Sequence, residues 1–138
     1  MKKLKFSIIT PCRNRLSYLR ETIDSVLNQT AFKKNICEMQ YIIIDGASTD
    51  GSKELIEEYA RNNQNIEFIS ENDESMYDAL RKGFEKCNGD IISYINAGDL
   101  YNINAFEIVE IAFKSSDKIK WLTGTKYIYN ENSQIIRN

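Results

Sequence analysis

Histidine is absent from this sequence of 138 residues. That single absence removes the Ser/His/Asp and Cys/His nucleophile arrangements and most zinc sites, all of which depend on imidazole. Chemistry must instead use carboxylates, hydroxyls, amides or basic side chains. Cysteine is scarce too. Cys12, Cys37 and Cys87 are odd in number, widely spaced and form no CxxC pair, which argues against a disulfide framework or metal knuckle and suits reduced thiols in the cytosol. With a single proline and 42% hydrophobic residues, the composition is neither disordered nor fibrous. Neither charge sign dominates. Lysine and arginine number 18 against 20 acidic residues, so there is no electrostatic footprint for DNA or RNA, and no nucleic acid partner is expected. No stretch approaches the ~20 apolar residues of a membrane span. The basic, then apolar opening MKKLKFSIITPCRNR breaks at Thr10-Pro11, too soon for a signal peptide. The length suits one domain, and residues 1–138 are read as a single soluble unit.

Apolar residues then alternate between two periodicities. Leu4 to Thr10 reads as a buried strand ending at Pro11, which cannot continue a central ladder. Leu19, Ile23, Val26 and Leu27 share one helical face. Tyr41 to Ile44 is a continuous apolar run, as in a strand covered on both sides, and Leu55, Ile56, Tyr59 and Ala60 form a second helical stripe. Ile66 to Ile69 predicts a third strand. Met76, Ala79, Leu80, Phe84 and Cys87 predict a third helix, which Asn88-Gly89 would end. Ile91 to Ile95 is a fourth apolar run; Ala105, Ile108, Val109 and Ala112 make a fourth helical stripe, and Lys120 to Tyr129 looks extended. Regular βαβ alternation implies an α/β fold, with a mostly parallel sheet and helices on both faces.

Ligands of open α/β sheets bind beyond the carboxyl ends of the strands, and here those ends are unusually polar. They read Thr10-Pro11-Cys12-Arg13-Asn14, Asp45-Gly46-Ala47-Ser48-Thr49-Asp50, Ser70-Glu71-Asn72-Asp73 and Asn96-Ala97-Gly98-Asp99. Acids and amides in such places often cap helices or close turns, and Asp50 and Ser52 are expected to do so. Asp45 interrupts the run IIID too early to cap a helix beginning near Ser52. Asp99 is open to either reading, with Asn104 the better cap for the fourth helix. No GxGxxG follows the first strand and no GxxxxGK[ST] occurs anywhere, which excludes the dinucleotide and P-loop sites. A receiver domain would need acids where Thr10-Pro11-Cys12 stands.

SIITPCRNR, IIIDGASTDGS, ENDESMYDALRKG and DIISYINAGD together resemble the family 2 glycosyltransferases of the GT-A fold, in that family's order and spacing. The resemblance implies a Rossmann-like three-layer sandwich that binds a nucleotide-diphospho-sugar donor, usually of uracil. Carried over by position, Thr10, Pro11 and Arg13 line the nucleotide pocket, Asp45 holds the nucleobase and Asp73 contacts base or ribose. Asn96 to Asp99 takes the place of the DxD-type motif. There Asn96 would bind nucleotide, and Asp99 is the one carboxylate left for a divalent cofactor, Mg²⁺ or Mn²⁺, which one or two carboxylates can hold with phosphate and water. Gly46 stands where a second aspartate is common, and Arg81 where an asparagine is common; Arg81 is read as a solvated helix residue.

The resemblance further implies transfer with inversion to a glycan or lipid-linked acceptor in bacterial polysaccharide synthesis, in the cytoplasm or peripherally at the inner face of the membrane. Full catalytic domains of the family continue well past this motif, whereas the sequence ends about 40 residues after Asp99. The expectation is therefore a donor-binding portion, with its catalytic base beyond Asn138 and an exposed edge prone to self-association. KYIYNENSQIIRN is read as two extended segments joined by a turn at Asn130 to Ser133. A non-catalytic nucleotide-binding module and a nucleotidyltransferase of similar layout are the alternatives.

Overall fold

The computed structural model describes residues 2–137. In chain order it runs β1 (Lys5–Cys12), α1 (Leu16–Leu27), α2 (Thr30–Lys33), β2 (Glu38–Asp45), α3 (Ser52–Asn62), β3 (Ile66–Ser70), α4 (Met76–Lys86), β4 (Ile91–Tyr94), α5 (Ala105–Ser115), β5 (Ile128–Tyr129) and β6 (Ile135–Arg137). The first four strands form a parallel sheet of order β3-β2-β1-β4. The last two make a separate antiparallel hairpin.

Strand alternation divides the core in two. Phe6, Ile8, Tyr41, Ile43 and Ile66 face Leu19, Ile23 and Val26 of α1, Leu55 and Ile56 of α3, and Phe106 of α5. Ile9, Ile42 and Ile44 face Ala79 and Leu80 of α4. The three layers foreseen are thus present, with α4 on a face of its own. Ile8, Ile9, Ile42, Ile43 and Ile44 are all fully buried, each contributing about 1.5–3 kcal/mol of hydrophobic stabilisation. Phe106 binds the far side together: its ring lies 4.9 Å from Phe6, 5.3 Å from Phe32 and 4.9 Å from Tyr101. Gly83 brings α4 close to the sheet, because a Cβ there would meet Ile9 Cγ2 at 2.6 Å.

Several expectations are corrected. Strand β1 continues through Pro11 to Cys12, with Pro11 in register opposite Ile44. Ile9 C=O accepts from Ile95 N on the β4 side, so Pro11, two residues on, turns its missing donor to that same side, where β4 has ended. Phe106, not Ile108, anchors α5; Ile108 is exposed, as are Met76 and Phe84 on α4. Asn104 is the N-cap residue of α5 but makes no side-chain capping bond. Gln29 Oε1 accepts from Phe106 N instead, at 3.2 Å. The Lys120–Tyr129 segment is irregular except for β5, whereas the following turn is as expected: Asn130 N bonds to Gln134 O and Ser133 adopts positive φ.

Candidate functional site

Parallel register aligns Cys12, Asp45 and Ser70 across the carboxyl ends of β1, β2 and β3. Asp45 is fully buried. Its Oδ2 accepts from Ser70 Oγ at 2.7 Å and from Ser48 N at 3.2 Å. Its Oδ1 is buried and has no hydrogen-bond partner among the described residues. Buried polar atoms are almost always paired, so a lone carboxylate oxygen at a strand end marks a place for an incoming donor. Cys12 beside it is no nucleophile: burial, with a smaller contribution from the Asp45 charge, pushes its thiol up to about 11.

Gly46 follows, and the missing side chain leaves room for two neighbours. A Cβ there would lie 3.1 Å from Asp73 Oδ2 and 3.4 Å from Arg13. Arg13 and Asp73 therefore flank the position next to Asp45, although they lie far apart in sequence. Asp73 Oδ1 accepts from Lys82 Nζ at 2.6 Å. Lys82 is held well above the usual lysine value, first by that bond and then by Glu71. Arg81 is exposed and pairs with Asp78 and Glu85 along the helix surface.

The loops after β1 and β2 are laced together. Asn14 N donates to Ser48 Oγ, Asn14 Oδ1 accepts from Thr49 N, and Asp50 Oδ2 accepts from Leu16 N. Asp50 Oδ1 also accepts from Ser52 N, so one carboxylate serves the first turns of α1 and α3. Asn14 and Ala47 sit at positive φ, the bends that turn both loops back over the strand ends. Helix α1 and the junction after it secure the loop after β4. Thr22 Oγ1 accepts from Gly98 N at 2.8 Å and donates to Asp99 O at 3.0 Å; Ser25 Oγ accepts from Tyr101 N, and Gln29 Nε2 donates to Asn102 O. Asn96 Oδ1 is buried without a partner among the described residues, whereas Asp99 is exposed.

Of the seven residues singled out from sequence, Arg13, Asp45 and Asp73 converge around Gly46. Asn96 and Asp99 share the turn after β4. Pro11 is buried in β1, and Thr10 is fully buried with its hydroxyl 2.9 Å from Tyr41 Oη, so the Thr10 side chain packs the core and lines no open pocket. Sequence reading passed over Lys82 and Thr22, and quoted Ser70 only as part of a strand end without a role. Lys82 had a visible signal, a charge adjoining the buried residues Ala79, Leu80 and Gly83; the other two depend on register and crossing distance. Two concavities of about 320 and 330 Å³ lie at the opposite ends of the strands, near Lys5 and Glu38 and near Leu4 and Asp90, apart from this cluster. Among the described residues no group of three or more acidic or cysteine ligands could hold a metal by itself. No described helix is long and apolar enough to cross a membrane.

Comparison with known proteins places this geometry. The chain is 27% identical over 103 residues to a putative teichuronic acid biosynthesis glycosyltransferase, TuaG, of Bacillus subtilis, a match covering 73% of this chain and 38% of that protein. Residues 1–349 of S. aureus TarS, solved with UDP-GlcNAc, superpose with a TM-score of 0.74 at 19% identity over 93% of this chain and 39% of that one. The mannosyltransferase PcManGT of Pyrobaculum calidifontis, solved with GDP-Man and Mn²⁺, gives 0.63 at 19% identity, covering 72% and 29%. Across eight curated relatives the chain spans only 11% to 38% of their length. The fold is that of the GT-A glycosyltransferases. The family model described as Glycosyl transferase family 2 matches residues 7–134, nearly the whole sheet with its loops, and the chain belongs to that family.

Proposed function

We propose that the chain is the nucleotide-sugar-binding portion of an inverting glycosyltransferase, using a UDP-sugar and a glycan or lipid-linked acceptor in bacterial polysaccharide synthesis. One observation carries the reading: the unpartnered, fully buried Oδ1 of Asp45 at the end of β2. Uracil presents an imide N–H that a carboxylate oxygen accepts. Asp73 Oδ2 and Arg13, both against Gly46, then serve the ribose and the diphosphate. The UDP-GlcNAc bound by TarS and the teichuronic acid pathway in the name of TuaG support the donor and product classes.

Transfer with inversion requires an acceptor hydroxyl to attack the anomeric carbon as its bond to the diphosphate breaks, with the hydroxyl proton passing to a carboxylate. Glu107 is paired with Lys34 and Glu110 with Lys114, so neither is assigned as that base. Asp99 would hold a divalent ion. The fit rests on an exposed carboxylate and an orphaned Asn96 Oδ1 in one turn, a donor set suited to an ion that takes its other ligands from diphosphate and water. When bound, that ion supplies positive charge to the departing diphosphate. Free thiols at Cys12, Cys37 and Cys87 fit a cytoplasmic setting, whether in solution or peripheral at the inner face of the membrane. Self-association through the β4 edge, where Ile92 and Tyr94 are exposed, belongs to the same proposal.

Calorimetric titration with UDP tests the assignment. Mn²⁺ is expected to tighten binding to the wild type and to leave Asp99→Asn unchanged. A wild-type chain that binds no UDP, with or without Mn²⁺, overturns the reading.

A further inference from the structure

We propose that Lys82 is a positioning residue that holds Asp73 in its donor-binding orientation, an inference that rests on the donor-site reading above. The ammonium group meets four oxygens: Asp73 Oδ1 at 2.6 Å, Glu71 Oε1 at 2.9 Å, the Asn72 carbonyl at 3.0 Å and Asp78 Oδ2 at 3.4 Å. Three of the four belong to the loop between β3 and α4. Lys82 thereby closes that loop onto the helix.

Enclosure separates this cluster from ordinary surface pairs. The side chains of Lys82 and Asp73 are 13% and 8% exposed, against 58% for the adjacent Arg81, whose ion pairs are the solvated kind that contribute little. The lysine is also fixed with respect to the sheet. Its neighbour Gly83 lies so close to Ile9 of β1 that α4 cannot shift without opening the core. Side chains on a helix lean toward its amino end, which directs Lys82 back over the turn of Asp78 and onto the loop. The chain of contacts runs from Ile9 through Gly83 and Lys82 to Asp73.

Asp73 divides its oxygens as Asp45 does. Oδ1 is held by Lys82, and Oδ2 lies against Gly46, beside Asp45. Without the lysine, Glu71 and Asp73 would lose the cation between them while Asp78 kept only Arg81 on its outer oxygen, and like charges would spread the loop. Arg81 could not replace it, being engaged with Asp78 and Glu85 on the outer face. The Lys82 ammonium needs no contact with the nucleotide to act.

The test uses the whole chain and two probes, UDP and uridine, titrated by NMR against wild type, Lys82→Met, Lys82→Arg, Asp73→Asn and the Lys82→Met/Asp73→Asn double variant. Lys82→Met is expected to weaken both probes by the same factor, about tenfold, the loss of one charge-assisted bond from Asp73. Lys82→Arg should recover most of that, and the double variant should bind no more weakly than Asp73→Asn. Amide hydrogen exchange from Asn72 to Ser75, measured without ligand, should quicken in Lys82→Met and recover in Lys82→Arg. Wild-type affinity in Lys82→Met, or unchanged exchange in that loop, overturns the inference. So does a loss much larger for UDP than for uridine, which would place Lys82 on the phosphates. A wild type that binds neither probe overturns the donor site itself, while the exchange result still reports on the clamp.

Discussion

Replacing Asp45 with asparagine exchanges one oxygen for an amide nitrogen and leaves the shape of the side chain unchanged. Oδ2 already accepts from Ser70 Oγ and Ser48 N, both supplied by the fold, so the remaining carbonyl oxygen of asparagine is expected to take that place. The nitrogen then occupies the position of the unpartnered Oδ1. Internal bonds persist and a buried charge disappears, so the thermal midpoint should hold or rise. Binding should respond in the opposite direction. The variant meets the uracil N–H with a donor, losing a charge-assisted bond of about 1.5–3 kcal/mol, or roughly 10- to 150-fold in UDP affinity. Cytosine carries an acceptor at the same ring position, so the variant should prefer CDP to UDP where the wild type prefers UDP. Parallel calorimetric titrations of UDP and CDP, with a thermal melt of each protein, read all three quantities. An Asp45→Asn protein that keeps both its UDP affinity and its preference for UDP over CDP would refute the assignment of Oδ1 to the base.

Gly83→Ala places a methyl 2.6 Å from Ile9 Cγ2, a fully buried atom group with nowhere to move, and should cost about 1–3 kcal/mol in urea denaturation; truncating Ile9 to alanine in the same chain should make the second change less than additive. Thr22→Val removes the hydroxyl shared by Gly98 N and Asp99 O without changing volume; a loss of about 1–2 kcal/mol is expected, with Thr22→Ser near wild type, and equal stability of all three would show that the β4 loop needs no tether. Asp50 is held below its ordinary value of 3.8, first by the Ser52 hydroxyl. Its folded value is the lower one, so its contribution is complete above 3.8 and is lost as pH falls through the folded value. Asp50→Ala should therefore flatten the acid limb of the stability curve, as followed by circular dichroism.

The alternation of apolar runs and the breakers between them determined that this chain forms a parallel α/β sheet, because each run is long enough for only one kind of element and each crossover must return to the same end of the sheet. Asp45 was legible for a related reason. An acid that interrupts an isoleucine run before any turn comes too early to cap the following helix, and local bonds occupy only one of its oxygens. That Arg13, Asp45 and Asp73 share the carboxyl ends of the strands was expected; that Arg13 and Asp73 meet against Gly46 was not, since it depends on strand order β3-β2-β1-β4 and on how two loops bend at Asn14 and Ala47. Thr10 shows the limit from the other side: its sequence position is that of a pocket residue, yet strand alternation turns its hydroxyl inward to Tyr41. Pro11 shows it again, because whether a missing N–H ends a strand depends on which side that donor faces and whether a neighbour still runs there. Lys82 and Thr22 act from helix to loop and Gln29 from a helix junction to the start of α5, where separations of 9 to 77 residues leave no periodic trace. Local patterning decided the elements, since period and breakers are properties of a few neighbouring residues. Only the tertiary structure decided which oxygen stays unpaired, since that depends on every donor the fold brings within reach.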